Sequence, residues 1–395
     1  MSKLEDQLAS HLQNRCKKSQ LRALTTIPAS NIDFSSNAYL SLSSIPSLLS
    51  DYHTLLQNHA SLGSGGSRLL DGNSTFAETL EREIAAFHNA PAGLLFNSGF
   101  DANVGLVSTL PQRGDVVVYD ELVHASAHDG MRLSRAGRKI SFKHNCVQAL
   151  DDVLASIGEN VSVFVLVEGV YSMDGDVAPL RDIVACVKTR LNGNGYVIVD
   201  EAHSTGVYGK QGRGLVCELG LEDEVFARLH TFGKAMSSFG AIVICSSITR
   251  EYLINYARTL IYTTALPLSC LASISMSYRY LQNGLIDERL THLWSLVRHT
   301  HKLLKSLSST TVTISVNKEP RSPIIPVFTS EPRSLARFCQ ERGFTVRPIV
   351  APTVPKGSER VRVCLYVGNT IEEVEGLIRV TKAWVKAQEG ETARL

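Results

Sequence analysis

The sequence predicts an α/β fold: a large domain with a mostly parallel central sheet, followed by a smaller C-terminal α+β domain. Three observations predict it. Short apolar runs alternate with amphipathic helical stretches from about residue 75 to residue 245, the pattern of strands joined by crossover helices. Several of these runs, Val161–Val167 above all, are apolar without alternation, as strands covered on both faces are. After a long helical stretch, Leu268–Leu307, the strands become shorter and more scattered. Boundaries near 45 and 285 then give an N-terminal segment with a helix (1–45), the large domain (46–285) and the small domain (286–395).

Each element has its own signal. Leu4, Leu8 and Leu12 recur one turn apart and predict an amphipathic helix over the first residues, which lack the apolar core of a secretory leader. Helical periodicity covers Thr75–Phe87, Val147–Ser156 and Pro179–Lys188. The strand candidates are Gly93–Phe96, Val116–Tyr119, Val161–Val167, Tyr196–Val199, Arg228–Thr231 and Ala241–Ile244. In the small domain, Thr311–Ser315, Ile324–Val327 and Val361–Leu365 read as strands, and Ser334–Gly343 and Ile371–Ala387 as helices.

Composition narrows the function. Of 395 residues, 44% are hydrophobic and 20% charged, which excludes a wholly disordered chain. Lys plus Arg number 40 against 38 Asp plus Glu, so no broad basic face for nucleic acid or membrane is expected. No apolar run approaches the roughly 20 residues that span a bilayer. The eight cysteines include no CxxC pair, so no metal site is expected, and they read as scattered thiols of an intracellular protein. The chain ends Ala393-Arg394-Leu395, similar to a Ser-Lys-Leu peroxisomal address. The expected location is therefore the peroxisome in a eukaryote and the cytoplasm otherwise.

Open α/β sheets bind ligands at the carboxyl ends of their strands, and five polar or glycine-rich turns fall at or near such ends here. Asp200-Glu201-Ala202-His203 follows Tyr196–Val199; its acid suits a metal, a ribose, a protonated ring nitrogen or a helix cap. Thr231-Phe232-Gly233-Lys234 follows another strand, and a desolvated lysine there is suited to a Schiff base. Asn97-Ser98-Gly99-Phe100 opens a helical stretch, where backbone N–H groups suit a phosphate. The turn from Glu168 to Asp176 follows the strongest strand, and Gly63-Ser64-Gly65-Gly66-Ser67-Arg68 is a flexible loop that does not match a P-loop. A lysine for a Schiff base, an acid for a pyridinium nitrogen and an anion-binding turn are the protein parts that pyridoxal phosphate requires.

The segments FSSNAYLSL, GSGGSRLLDGN, LLFNSGFDANVG, DELVHAS, EGVYSMDGDVAPL, VDEAHSTGVYG, TFGKAMSSFGA, YTTALP and RPIVAPTVPKGSERVRV occur in one order along nearly the whole chain. In this the sequence resembles the α-oxoamine synthases, pyridoxal-phosphate enzymes of transferase fold type I. The resemblance implies that Lys234 forms the Schiff base, Asp200 pairs with the ring nitrogen, His203 bonds the ring hydroxyl and His124 stacks on the ring. Gly99 and Phe100 would contact the cofactor through their backbone, with Ser172 and Thr231 nearby. Thr264 would reach the phosphate across a homodimer interface. Arg22, Asn37, Thr353 and Arg362 would face the acyl-CoA and amino-acid substrates, Arg362 pairing with a carboxylate.

GSGGSR, and PTVP followed by RVR, resemble the branch that condenses pimeloyl-CoA with L-alanine to 8-amino-7-oxononanoate in biotin synthesis. The alternatives are another acyl donor, including a polyketide-type chain, a fold type I aminotransferase or lyase, and an inactive regulatory homologue. The last is disfavoured by Lys234, Asp200 and His203. His128 and the pair His144-Asn145 read as structural. Cys146 and Ser204 depart from the acid and the glycine common at their positions. The stretch from Arg22 to Asn37 is short, so the family's small N-terminal strand pair is expected to be missing.

Overall fold

The computed structural model describes residues 2–18, 20–57, 61–158 and 161–392; the C-terminal tripeptide lies outside the described residues. In chain order the strands are β1 (Ile32–Asp33), β2 (Ala92–Phe96), β3 (Val116–Asp120), β4 (Arg138–Phe142), β5 (Val163–Glu168), β6 (Gly195–Asp200) and β7 (Ala227–Thr231). They continue with β8 (Ala241–Cys245), β9 (Ser315–Val316), β10 (Ile324–Phe328), β11 (Phe344–Thr345), β12 (Arg347–Ile349) and β13 (Arg360–Cys364).

Seven strands form the central sheet in the order β2-β8-β7-β6-β5-β3-β4. Only β8 runs antiparallel to its neighbours. Each residue of β5 is buried, as its unbroken apolar run requires when helices cover both faces. Register places Glu168 opposite Asp200 and Asp200 opposite Leu229, so the carboxyl ends of β5, β6 and β7 share one edge. A second sheet, β12-β13-β10-β9, is antiparallel and forms the core of the C-terminal part.

Several elements differ from expectation for local reasons. The stretch Leu268–Leu307 is two helices, Leu268–Gln282 and Asp287–Ser308. They break at Asn283-Gly284, where Gly284 takes φ +71°. Strand β4 has no apolar run because it is an edge strand and largely exposed, so it carries little hydrophobic signal. The strand expected at Thr311–Ser315 is confined to Ser315–Val316. Among the described residues the N-terminal segment has one strand and no strand pair of its own: β1 pairs in parallel with β11. Tertiary contact makes it, since two residues cannot signal a strand on their own. Phe34 and Tyr39 carbonyls accept from Cys364 and Val367 N–H, so this segment packs on the C-terminal part. The helix Lys3–Lys17 forms with a Ser2/Glu5 capping box, and its Leu4, Leu8 and Leu12 are exposed.

Candidate active site

The turn between β7 and β8 presents Lys234. Phe232 N–H donates to Gly240 O, and Ser238 N–H to Phe232 O, closing a tight loop in which Lys234 stands three residues past β7. Burial holds its amine below the ordinary lysine range, although Asp200 and Glu168 act the other way. A neutral amine is the nucleophilic form.

Asp200 is the last residue of β6. Its Oδ1 accepts from Ala202 N–H at 2.9 Å and its Oδ2 from Asn103 Nδ2 at 2.7 Å. Asn103 lies one turn into the helix Gly99–Thr109, capped by Ser98. The same amide reaches Ser126 Oγ at 3.0 Å, and Ser126 Oγ lies 2.8 Å from His124 Nδ1. Ser126 N–H also donates to Nδ1, which leaves the His124 ring proton on Nε2. Burial, only partly opposed by Asp200, lowers the His124 pKa and keeps the ring neutral.

His203 is buried, with Nδ1 2.7 Å from the Tyr39 hydroxyl. Burial first, then the Lys234 and Arg362 charges, hold it well below the ordinary histidine range. Burial raises the Tyr39 phenol, so it stays protonated and available as a donor. Arg362, in β13, donates to Asn37 Oδ1 at 2.6 Å, yet its buried Nε has no partner. An orphaned guanidinium donor is the half of a fork that a carboxylate would complete.

Glu168, at the end of β5, is buried in the same pocket as His124, Asn103 and Asp200. Burial and the neighbouring Asp200 raise it well above the usual carboxylate range. A cavity of about 750 Å³ adjoins the His124 side. Arg22, His128, Ser172, Met173, Thr353 and Lys356 are among its lining residues.

These donors fit pyridoxal phosphate. A half-buried lysine of lowered pKa meets the cofactor's need for an amine nucleophile, and a doubly held carboxylate suits a ring nitrogen. The helix N-terminus at Gly99 is open to an anion, and a Cβ on Gly99 would lie 3.3 Å from Thr231 Cβ, so Gly99 and Thr231 adjoin. Lys234, Asp200, His203, His124 and Arg362 thus gather at one sheet edge, with Asn37 joined through Arg362. Arg22, Ser172 and Thr353 line the cavity beside it. Phe100 is exposed, its ring 6.5 Å edge-on from His124. Thr264 is exposed on this protomer, its carbonyl held by Asn97 Nδ2 at 2.8 Å. Sequence reasoning missed Asn103 and Tyr39, and read Glu168 only as the start of a polar turn. Asn103 had one signal, its place one helical turn after Gly99.

The family model for aminotransferase class I and II matches residues 29–380. Over 405 aligned residues the chain is 52% identical to the 8-amino-7-oxononanoate synthase of Emericella nidulans, covering 99% of this chain and 98% of that one. A serine palmitoyltransferase solved with pyridoxal phosphate superposes with TM-score 0.87 at 27% identity, over 98% of this chain and 99% of that chain. The 8-amino-7-oxononanoate synthase of Francisella tularensis superposes with TM-score 0.76 at 28% identity, over 92% of this chain and all (100%) of that one.

The chain belongs to the class I and II aminotransferase family, with the transferase fold type I. Within that family it is an α-oxoamine synthase, a pyridoxal-phosphate acyltransferase.

Proposed function

We propose that the protein condenses pimeloyl-CoA with L-alanine, with loss of CO₂, to give 8-amino-7-oxononanoate and CoA on the way to biotin. The observation that carries this reading is the half-buried Lys234 amine, its pKa lowered by desolvation, beside Asp200, with the unpartnered Arg362 Nε close by. The Emericella nidulans relative, similar over the full chain, supports the choice of substrates.

Bound pyridoxal phosphate supplies an electron sink for negative charge at the amino acid α-carbon. Asp200, fixed by Asn103 and Ala202, would pair with the ring nitrogen of the bound cofactor and favour its protonated form. Arg362 holds the alanine carboxylate through its unpartnered Nε. The Lys234 amine would take the α-proton of the amino acid as general base. His124 and His203, both neutral with one N–H each, donate to oxygens that gain charge. The cavity holds the acyl chain against Leu122, Val123, Met173 and Val354, while Arg22 and Lys356 suit the CoA phosphates.

The test is release of CoA thiol from pimeloyl-CoA by the purified holoenzyme. Alanine-dependent release is expected. No release with pimeloyl-CoA, but release with a longer acyl-CoA or with another amino acid, would move the assignment within the family.

The exposed Thr264 supports a homodimer in which that residue completes the partner's cofactor site; light scattering at twice the chain mass is the expected result.

A further inference from the structure

His144 is not a surface or packing histidine. Its Nδ1 lies 2.8 Å from Asp120 Oδ1 and its Nε2 lies 2.8 Å from Asp176 Oδ2. An imidazole facing a carboxylate at each nitrogen carries both protons and is a cation. Burial opposes that charge, but the bonds from Asp120 and Asp176 outweigh it and push the ring up to about 10.

Each carboxylate belongs to a different wall of the site. Asp120 is fully buried at the end of β3, four residues before His124. Its two oxygens also accept from Leu122 and Asn145 N–H, at 2.9 and 2.8 Å. Asp176 lies on a small hairpin closed by the bridge Val170–Val177 and by Tyr171 N–H donating to Asp176 O. Ser172 and Met173 of that hairpin line the substrate cavity. The Tyr171 ring stands edge-on to His144 at 4.4 Å.

The small domain grips the far side of the same hairpin. Ser322 Oγ donates to Gly175 O at 2.8 Å, Asn317 Nδ2 to Asp174 O at 3.2 Å, and Arg360 pairs with Asp174. Gly175 sits at φ +66°, where a Cβ would lie 2.2 Å from Ile324 O.

We propose that His144 is a positioning residue: it donates to Asp120 and Asp176 at once, and so fixes the loop carrying His124 relative to the hairpin carrying Ser172. Both walls of the acyl cavity are set by that one ring, and the hairpin passes the position of the small domain to the site. The turnover part of the test rests on the acyl-transfer reading above; the spectroscopic part does not.

The experiment compares the holoenzyme with His144→Phe, which keeps a flat ring against Tyr171 but cannot donate, and with Asp176→Asn. Three readouts are taken: kcat and KM for both substrates, thermal unfolding, and the circular dichroism induced in the bound cofactor's visible band, which reports its setting against His124. Loss of about tenfold to hundredfold in kcat is expected for His144→Phe, the scale of a small misplacement of reacting groups. The melting temperature should fall, because Asp120 stays buried without its cation, and the induced signal should change at a temperature where the variant is still fully folded. Asp176→Asn should give a smaller loss, and the double variant no more than His144→Phe alone. Unchanged kcat and unchanged induced signal in both variants would overturn the proposal. So would losses that track the fraction unfolded. If His144→Phe does not fold, Asp176→Asn decides by the same readouts. A wild type that binds cofactor but does not turn over pimeloyl-CoA overturns the substrate assignment, while the spectroscopic shift still decides the role of His144.

Discussion

Asn103 Nδ2 donates to Asp200 Oδ2 at 2.7 Å, tying a helix one turn past the phosphate-binding turn to the strand end that carries the ring-pairing acid. The same amide reaches Ser126, which in turn bonds His124. One buried side chain therefore orients the acid on one side of the cofactor site and the ring on the other.

Asn103→Leu should leave Asp200 Oδ2 and Ser126 Oγ without a shared donor. An unsatisfied buried polar group costs about 1–3 kcal/mol, so the melting temperature should fall. Turnover should fall further than stability alone accounts for, by roughly tenfold to hundredfold, because Asp200 and His124 both lose their setting. Steady-state rates at a temperature where the variant is fully folded check this. Normal turnover there would remove Asn103 from the machinery.

Lys234→Ala should abolish alanine-dependent CoA release, a loss of at least about a thousandfold for removing a nucleophile that is also the general base. Folding should survive, because Lys234 is the site's strained resident: burial already works against its charge. Thiol release and a thermal melt together test it. An active, folded variant would sink the lysine's assignment.

Arg362→Lys should raise the KM for alanine by roughly tenfold or more while changing the KM for the acyl-CoA little. A lysine offers a point charge where the planar fork donates to Asn37 and leaves Nε for a carboxylate. Equal effects on both substrates would place Arg362 elsewhere in the reaction.

His88 and His230 are fully buried with rings stacked 4.0 Å apart. Burial and nearby Arg228 lower His88 to about 3, and burial with His88 holds His230 well below its ordinary value. Folded pKa values below the unfolded ones give stability that is present above about pH 6.5 and lost as pH falls from there. Glu168 and Glu201, raised by burial, act in the opposite sense, so the comparison has to be between variants. His230→Leu leaves Thr205 Oγ1 its bond to Glu201 O at 2.6 Å. Relative to wild type, this variant should gain about 2 kcal/mol between pH 6.5 and pH 5, at about 1.4 kcal/mol per pH unit. Denaturant melts at the two pH values measure it, and a constant gap would mean that His230 already carries a proton in the fold.

Most of the large domain was legible in the sequence. A strand buried on both faces, such as β5, is built mostly of apolar residues, so the run Val163–Val167 reports its place. The helix Thr75–Phe87 was legible to the residue because Ser74 caps it and its apolar side repeats every turn. Strand β4 and the pair of β1 with β11 were not legible. An edge strand with an exposed face needs no apolar run, and a two-residue strand exists only through its partner. Lys234, Asp200 and His203 stood out as polar residues where apolar strands end. Asn103 and Tyr39 did not, because each acts through a partner distant in the chain, and Glu168 stood out only as the start of a polar turn.

The sequence by itself determined the α/β class, the strand ends that carry the chemistry, and the family to which those motifs belong. Apolar runs and polar strand ends are local patterns, written in the order of residues. Only the tertiary structure decided how these groups are held. It placed Asn103 on Asp200, Tyr39 on His203, Asn37 on Arg362, and His144 between Asp120 and Asp176. Each of those bonds joins elements that are far apart in the chain or turns that no local pattern orients. Burial, which shifts Lys234 and His203 down and Glu168 up from their ordinary values, is likewise a property of the packed whole.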